Sequence, residues 1–202
     1  MDRPVFLILT GATANAGRSA ACQEVAREIW PEAQVFMPNY LSRFRSVRGV
    51  GAWLEQWLKE TLPPAEPLYV FAFILGGAAL PYAPSLVARA QRVVLLRSRF
   101  QEGVPRLLRR RLGGWPTAAL FGRAVADLGR GEFWPPGFTL PSPYTTVVET
   151  VPTPLARWLR IAEIGDADLG IAGYTELPVD HNSAYGSREL MQFATEWLQG
   201  GR

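Results

Sequence analysis

The chain has 202 residues, a formal net charge of +3 and a hydrophobic fraction of 48%, which favour one folded domain over residues 1–202 and exclude a disordered chain. The most apolar stretch, residues 68–83, is too short to span a bilayer. No long apolar run opens the chain as in a secretory signal, and Cys22 is the only cysteine. We therefore expect a cytoplasmic protein without disulfides.

Apolar segments along the chain predict strands and helices in alternation. Continuous apolar runs indicate strands buried on both faces, and apolar residues three or four positions apart indicate amphipathic helices. The predicted strands are residues 5–10, 34–37, 68–75, 93–96, 145–148 and 158–164, and the predicted helices are 18–30, 51–62, 84–90, 104–130 with a break at Gly113 and Gly114, and 187–198.

This alternation predicts an α/β fold, with a mostly parallel central sheet covered by helices on both faces in three layers. The run of eight apolar residues at 68–75 predicts a central strand. Ligands bind such sheets at the carboxyl ends of the strands, so functional residues are expected in the loops that follow them. Residues 131–143, rich in proline and glycine, predict a loop that serves as a lid, a docking surface or a plain connection.

The end of the predicted central strand carries small residues around a large one. Residues 72–77 read Ala-Phe-Ile-Leu-Gly-Gly. Small flanking residues are what a sharp strand-to-helix turn requires, since the two backbones nearly touch there. The segment resembles the nucleophile turn of small lipases and esterases of the α/β-hydrolase fold, which reads Gly-His-Ser-Leu-Gly-Gly. In this resemblance Ile74 stands where the family has its nucleophilic serine.

Isoleucine at this turn has a chemical and a conformational consequence. Ile74 offers no nucleophilic atom for a base to activate. The nucleophile of this turn normally has a positive φ, which costs a β-branched residue about 1–3 kcal/mol. We therefore expect the turn either to be strained or to relax into a wider one.

The C-terminal part of the chain also resembles this family. His181, the only histidine, precedes the last predicted helix, and Ser187 suits the N-cap of that helix. The resemblance implies that His181 is the catalytic base position and that the acid lies in residues 165–171, at Asp168 with Asp166 as the fallback. The order of nucleophile position, acid and histidine is that of the fold.

The resemblance also implies an oxyanion site. Gly11 and Ala12 follow the first strand, where the family has a His-Gly loop, and Thr10 replaces that histidine. Leu75 follows the nucleophile position and takes the place of the second backbone donor.

A chain that keeps the base and the acid but lacks the nucleophile is expected to be a pseudoenzyme. We expect it to bind a protein partner or an apolar or acyl ligand. The alternative is an active esterase or lipase with a non-standard nucleophile. Its candidate serines are Ser98, Ser183 and Ser187, none of which lies on a recognisable nucleophile turn.

A second alternative is nucleotide binding by residues 10–19, which lie between a strand and a helix as a phosphate loop does. However, Gly11 and Gly17 are one residue too far apart for a Walker loop, and Arg18 replaces its lysine. Asn15 replaces the middle glycine of the dehydrogenase turn. No cofactor is expected, and no metal, since one histidine and one cysteine offer no ligand cluster.

The positive charge is almost entirely arginine. One interpretation of its densest cluster is a patch for phosphate, an anionic lipid surface or an acidic partner, and the other is the solvated face of a helix. No aromatic residues interleave with the cluster, so nucleic-acid binding is not expected. The cluster consists of Arg106, Arg109, Arg110 and Arg111.

Overall fold

The computed structural model describes residues 3–12, 15–40, 42–62, 66–131 and 133–201. Within these residues the strands form one six-stranded sheet in the order β2-β1-β3-β4-β5-β6, and every neighbouring pair is parallel. The predicted α/β fold is therefore confirmed. The strands are β1 (Val5–Leu9), β2 (Gln34–Phe36), β3 (Leu68–Ala72), β4 (Ala90–Ser98), β5 (Tyr144–Glu149) and β6 (Thr175–Leu177).

The helices surround this sheet, and in the described residues none combines the length and apolar character that crossing a bilayer requires. Short 3₁₀ turns occupy Leu80–Tyr82 and Ser183–Gly186. The α-helices are α1 (Ala16–Ile29), α2 (Val47–Thr61), α3 (Ile74–Ala79), α4 (Pro84–Arg89), α5 (Gly103–Leu112), α6 (Gly114–Phe121), α7 (Arg123–Leu128), α8 (Pro154–Trp158), α9 (Asp166–Leu169) and α10 (Arg188–Leu198).

The two faces of the sheet bury different helices. Successive side chains of a strand point to opposite faces. In β1, Leu7 packs in the cluster that contains Leu54 of α2, whereas Phe6 packs in the cluster that contains Cys22 of α1 and Leu190 of α10. A continuous apolar strand sequence is thus explained by burial on both faces, as in the three-layer arrangement predicted.

Two features of the predicted secondary structure are wrong. The strand expected at 158–164 does not form, because α8 extends to Trp158, whose side chain is 78% exposed and has no sheet to pack on. The sixth strand is instead β6, three residues that pair with β5 through Val147 and Thr175. In addition, the central strand ends at Ala72 rather than at residue 75.

The loop after residue 131 is anchored to the body of the molecule; residue 132 lies outside the described residues. The Trp134 Nε1–H donates to the carbonyl oxygen of Gly77 at 2.9 Å. Its ring also contacts those of Phe138 and Tyr144, at centroid distances of 5.1 and 6.2 Å. Of the three interpretations of this loop, these contacts favour a connection that is held in place.

Helix α3 crosses the end of β1 at very short range. The Phe73 N–H donates to the carbonyl oxygen of Leu9 at 2.8 Å. A Cβ at Gly76 would lie 2.4 Å from the Leu9 Cβ and 2.8 Å from the Leu9 carbonyl oxygen. The small residue predicted at this place is therefore required by close backbone packing.

We predict that Gly76→Ala destabilises the protein by about 1–3 kcal/mol, because the added methyl group forces β1 and α3 apart. Gly173→Ala is the matched control, since a Cβ at Gly173 has no atom of the described residues within 4 Å. Urea unfolding followed by circular dichroism measures both variants. Equal midpoints for the two variants would contradict the close crossing.

Candidate functional site

Loops at the carboxyl edge of the sheet meet around an apolar pocket of about 120 Å³. The loop after β1 contributes Ala12, the start of α3 contributes Ile74 and Leu75, and the loop after β6 contributes His181. Side chains of α5, α6 and α7, including Val104, Leu108, Phe121, Val125 and Leu128, form much of the remaining wall. The structure thus brings Ile74 and the lone histidine to one cavity.

Ile74 adopts an unstrained conformation. It is the first residue of α3, and Phe73 before it has φ −67° and ψ 163°. Among the described residues, Arg160 is the only non-glycine residue with a positive φ. Of the two outcomes expected at this turn, strain does not occur at Ile74, because the chain enters a helix directly after the strand. The side chain of Ile74 is 6% exposed and lines the pocket.

A buried carboxylate orients His181. The Nδ1 atom of the ring lies 3.1 Å from Oε1 of Glu149, the last residue of β5. Glu149 is fully buried, and its Oε2 has no hydrogen-bond partner within the described residues. No hydrogen bond to Nε2 of His181 occurs in the described part of the chain. The pair thus holds the ring by one nitrogen and leaves the other available to the pocket.

The two aspartates named from the sequence lie elsewhere. A carboxylate oxygen of Asp166 accepts from Nη1 of Arg99 at 2.8 Å. Asp168 lies in α9, where its backbone carbonyl accepts from Arg106 at 3.5 Å. Neither carboxylate pairs with His181 in the described residues; the contact that the resemblance assigns to Asp168 is made by Glu149.

Glu149 carried a signal that sequence reasoning missed. It is the acidic residue directly after the apolar strand predicted at 145–148, which is β5. The next strand, β6, leads into the loop that contains His181. Parallel strands place their carboxyl ends at one edge, so an acid at the end of β5 is brought beside the loop that follows β6.

Gly11 allows the loop after β1 to approach the histidine. A Cβ at Gly11 would lie 2.8 Å from the Tyr185 hydroxyl oxygen and 3.0 Å from Nε2 of His181. The Gly11 N–H donates to the Tyr185 hydroxyl at 2.8 Å and is therefore engaged. Burial raises the pKa of Tyr185, which keeps its hydroxyl neutral. Of the predicted oxyanion residues, Ala12 and Leu75 remain at the pocket wall.

Each of the candidate rescue serines has a local structural role. Ser98 accepts from the N–H of Gln101 at 2.9 Å, and Ser183 donates to the carbonyl of Asp180 at 3.1 Å. Ser187 accepts from Leu190 N–H at 3.2 Å as the N-cap of α10, which confirms the predicted cap. None of the three lines the pocket.

The remaining reactive groups are equally unsuited to replace the serine. The Cys22 thiol is buried in the core beneath α1, and burial raises its pKa to about 12, so the thiol stays protonated. Glu102 reaches the pocket but is paired with Arg97, whose Nη2 lies 3.0 Å from its Oε2. The Arg97 guanidinium also lies 3.6 Å from the ring centroid of Phe133. The described pocket wall therefore contains no free nucleophile.

Several polar groups of the loop at residues 10–19 are engaged within the protein in its described part. Residues 13 and 14 lie outside the described residues. The Asn15 side chain accepts from the Arg18 N–H at 2.9 Å and so caps α1 itself. The Ala12 carbonyl accepts from the Ser42 hydroxyl at 3.1 Å. Nucleotide binding here stays an untested prediction. No group of three or more metal-ligating side chains occurs among the described residues.

Comparison with known proteins places this geometry in a fold. No protein-family model and no curated protein sequence matches the chain. Among solved structures, a Bacillus licheniformis lipase, BlEst2, is 16% identical, with a TM-score of 0.69 and coverage of 98% of this chain and 92% of that one. At such low identity, the likeness shows the α/β-hydrolase fold and nothing finer.

Two thioesterase structures are also similar to this chain over nearly its whole length. The type II thioesterase YbtT of the yersiniabactin pathway is 11% identical, with a TM-score of 0.60 and coverage of 98% of this chain and 92% of that one. The NocB thioesterase domain, in covalent complex with a fluorophosphonate nocardicin G analog, is 15% identical, with a TM-score of 0.55 and coverage of 100% and 96%. The α/β-hydrolase fold expected from the sequence is thereby confirmed.

We predict that His181→Ala lowers the free energy of unfolding by about 3 kcal/mol, because it leaves the buried Glu149 carboxylate unpaired. Glu149→Gln retains an acceptor for the ring and is expected to cost only about 1 kcal/mol. Asn182→Ala, at an exposed neighbouring position, is the control. Chemical denaturation checks all three variants, and a His181→Ala variant as stable as the control would contradict the buried pair.

Proposed function

We propose that this protein is a catalytically inactive member of the α/β-hydrolase fold that binds an apolar or acyl group in the pocket beside Ile74. The observation that carries this proposal is the shared pocket: Ile74 and His181 line it together, and no residue of its described wall has a hydroxyl or thiol. The position from which a serine would attack is filled by hydrocarbon.

Covalent hydrolysis fails at its first step in this arrangement. A serine hydrolase needs a nucleophile whose proton the histidine removes, and the carboxylate then stabilises the imidazolium. His181 supplies the imidazole and Glu149 the carboxylate, and Nδ1 of His181 lies 3.1 Å from Oε1 of Glu149. Ile74 has no proton that an imidazole can remove, so no acyl-enzyme forms.

The same pocket is well suited to binding. Its wall is largely aliphatic and aromatic, and Nε2 of His181 has no protein partner in the described residues. An apolar cavity of about 150 Å³ accommodates benzene. The volume of about 120 Å³ here therefore matches a short acyl chain or a similar group of about six carbon atoms. The lipase and thioesterase neighbours are consistent with an acyl group.

A second candidate function is hydrolysis in which His181 activates a water molecule directly. The observation that favours it is the retention of a fully buried carboxylate against the imidazole. This arrangement is costly to bury and is the usual support of a general base. It would require a bound ester or thioester to lie between Ile74 and Nε2.

We predict that the purified protein does not turn over p-nitrophenyl butyrate or a butyryl thioester above background and is not labelled by a fluorophosphonate. His181→Ala is the control, and its background rate should equal that of the unmodified chain. Turnover that His181→Ala abolishes would contradict the proposal. With no fluorophosphonate labelling, that result would favour the water mechanism; with labelling, it would reveal an unrecognised nucleophile.

A further inference from the structure

An arginine-rich groove adjoins the apolar pocket. It has a volume of about 530 Å³ and lies between one face of α5 and the segment that follows α8. Positions three, four, seven and eight apart share a helix face, which is why residues 103, 106, 107, 110 and 111 line it together. Its charged and aromatic residues are Arg106, Arg110, Arg111, Trp158 and Arg160.

The groove differs from the arginine cluster expected from the sequence. Arg109 does not line it, since its Nη1 donates to the carbonyl oxygen of Ala126 at 3.3 Å. Arg160 joins instead from the other wall, at a point where no basic cluster was visible in the sequence. A surface assembled from two separate segments is harder to explain as the solvated side of a single helix.

The charge of the groove is not neutralised within the described residues. None of its four arginines forms an ion pair there. Glu163 and Asp166, which follow Arg160 closely in the chain, pair with Arg99 instead, at 3.2 and 2.8 Å. The groove therefore presents several guanidinium groups to solvent, and its described wall contains no acidic side chain.

The backbone conformation of Arg160 is an independent indication that the groove has a function. With a φ of +53°, Arg160 ends α8 in the left-handed conformation, and the next N–H, that of Ile161, donates to the Ala156 carbonyl at 3.0 Å. Glycine is the usual residue at such a helix end, and any other residue costs about 1 kcal/mol. Strain of this kind is concentrated at functional sites. The strained residue here is one that supplies positive charge to the groove.

Arg106 is shared by the groove and the pocket, because it lines both. A molecule that passes Arg106 would place an apolar group beside Ile74 and an anionic group among the arginines. Guanidinium groups bind phosphate and carboxylate in a forked geometry. A phosphate monoester, with about two negative charges and three acceptor oxygens, matches several arginines, whereas a carboxylate occupies one.

We infer that the ligand of this protein is a small amphiphile whose phosphate monoester occupies the arginine groove and whose short apolar group occupies the pocket. This inference rests on the proposed binding function and names the chemical class of its ligand. The ligand occupies both cavities, and Arg106 lies where its phosphate head joins its apolar tail.

The test is a calorimetric titration with hexyl phosphate, hexanol and inorganic phosphate. Hexyl phosphate is expected to bind at least about tenfold more tightly than either of the others, since it gains both sets of contacts. Arg160→Gly is expected to weaken hexyl phosphate binding by roughly tenfold, the loss of one charge-assisted contact. The same substitution should leave Tm unchanged or higher, because glycine relieves the positive φ.

Two further variants separate the groove from the pocket. Arg157→Ala removes an exposed arginine of α8 that does not line the groove, and its hexyl phosphate affinity should be unchanged. Ile74→Phe, which fills the pocket, should weaken the binding of hexyl phosphate without changing the affinity for inorganic phosphate. Circular dichroism spectra confirm that each variant is folded.

Three results would overturn the inference. Hexanol binding as tightly as hexyl phosphate, with no effect of Arg160→Gly, would reject the phosphate head and leave the apolar binding function intact. Inorganic phosphate binding as tightly as hexyl phosphate, with no effect of Ile74→Phe, would reject the pocket and the proposed function with it. Arg160-dependent binding to phosphatidylglycerol vesicles, without saturable binding of hexyl phosphate, would assign the groove to a membrane surface.

Discussion

The close crossing of β1 and α3 is the constraint on which the site depends. Because residue 76 has no Cβ, α3 begins directly over Leu9, and the Phe73 ring stacks on Tyr185 at a centroid distance of 4.3 Å. Tyr185 in turn accepts from Gly11 N–H at 2.8 Å. These contacts hold the start of α3, the loop after β1 and the segment that follows His181 in one packed unit. Ile74 and His181 share a pocket as a result.

The chemistry of the pocket follows from what this packed unit contains. Glu149 is fully buried and orients the imidazole, an arrangement that costs desolvation energy and normally supports a nucleophile. Here His181 shares the pocket with Ile74, and most of the described wall is apolar. We propose that this pocket, with its available ring nitrogen, and the adjoining guanidinium groups recognise an amphiphilic ligand rather than catalyse acyl transfer.

The sequence predicted those parts of the molecule that depend on local pattern. Buried strands appear as apolar runs, so most of the sheet followed from these runs, residues 72–77 marked the turn that contains Ile74, and Ser187 followed from helix capping. The acid did not, since Asp168 was chosen by its resemblance to a motif, whereas the partner of His181 is set by strand order. β6 escaped detection because three residues with one buried side chain carry no periodic signal. The arginine groove combines α5 with Arg160, and only tertiary structure brings these two segments together.

The central claim is that hydrocarbon at residue 74 occupies the place of a nucleophile that His181 would otherwise serve. The most direct measurement is fluorophosphonate labelling, followed by mass spectrometry, of the Ile74→Ser variant, with and without His181→Ala, beside Ile74→Ala. The account predicts labelling of Ile74→Ser at the substituted position, no labelling of Ile74→Ala, and loss of labelling when His181→Ala is added. Failure of Ile74→Ser to react, or a reaction that persists without the imidazole, would contradict it.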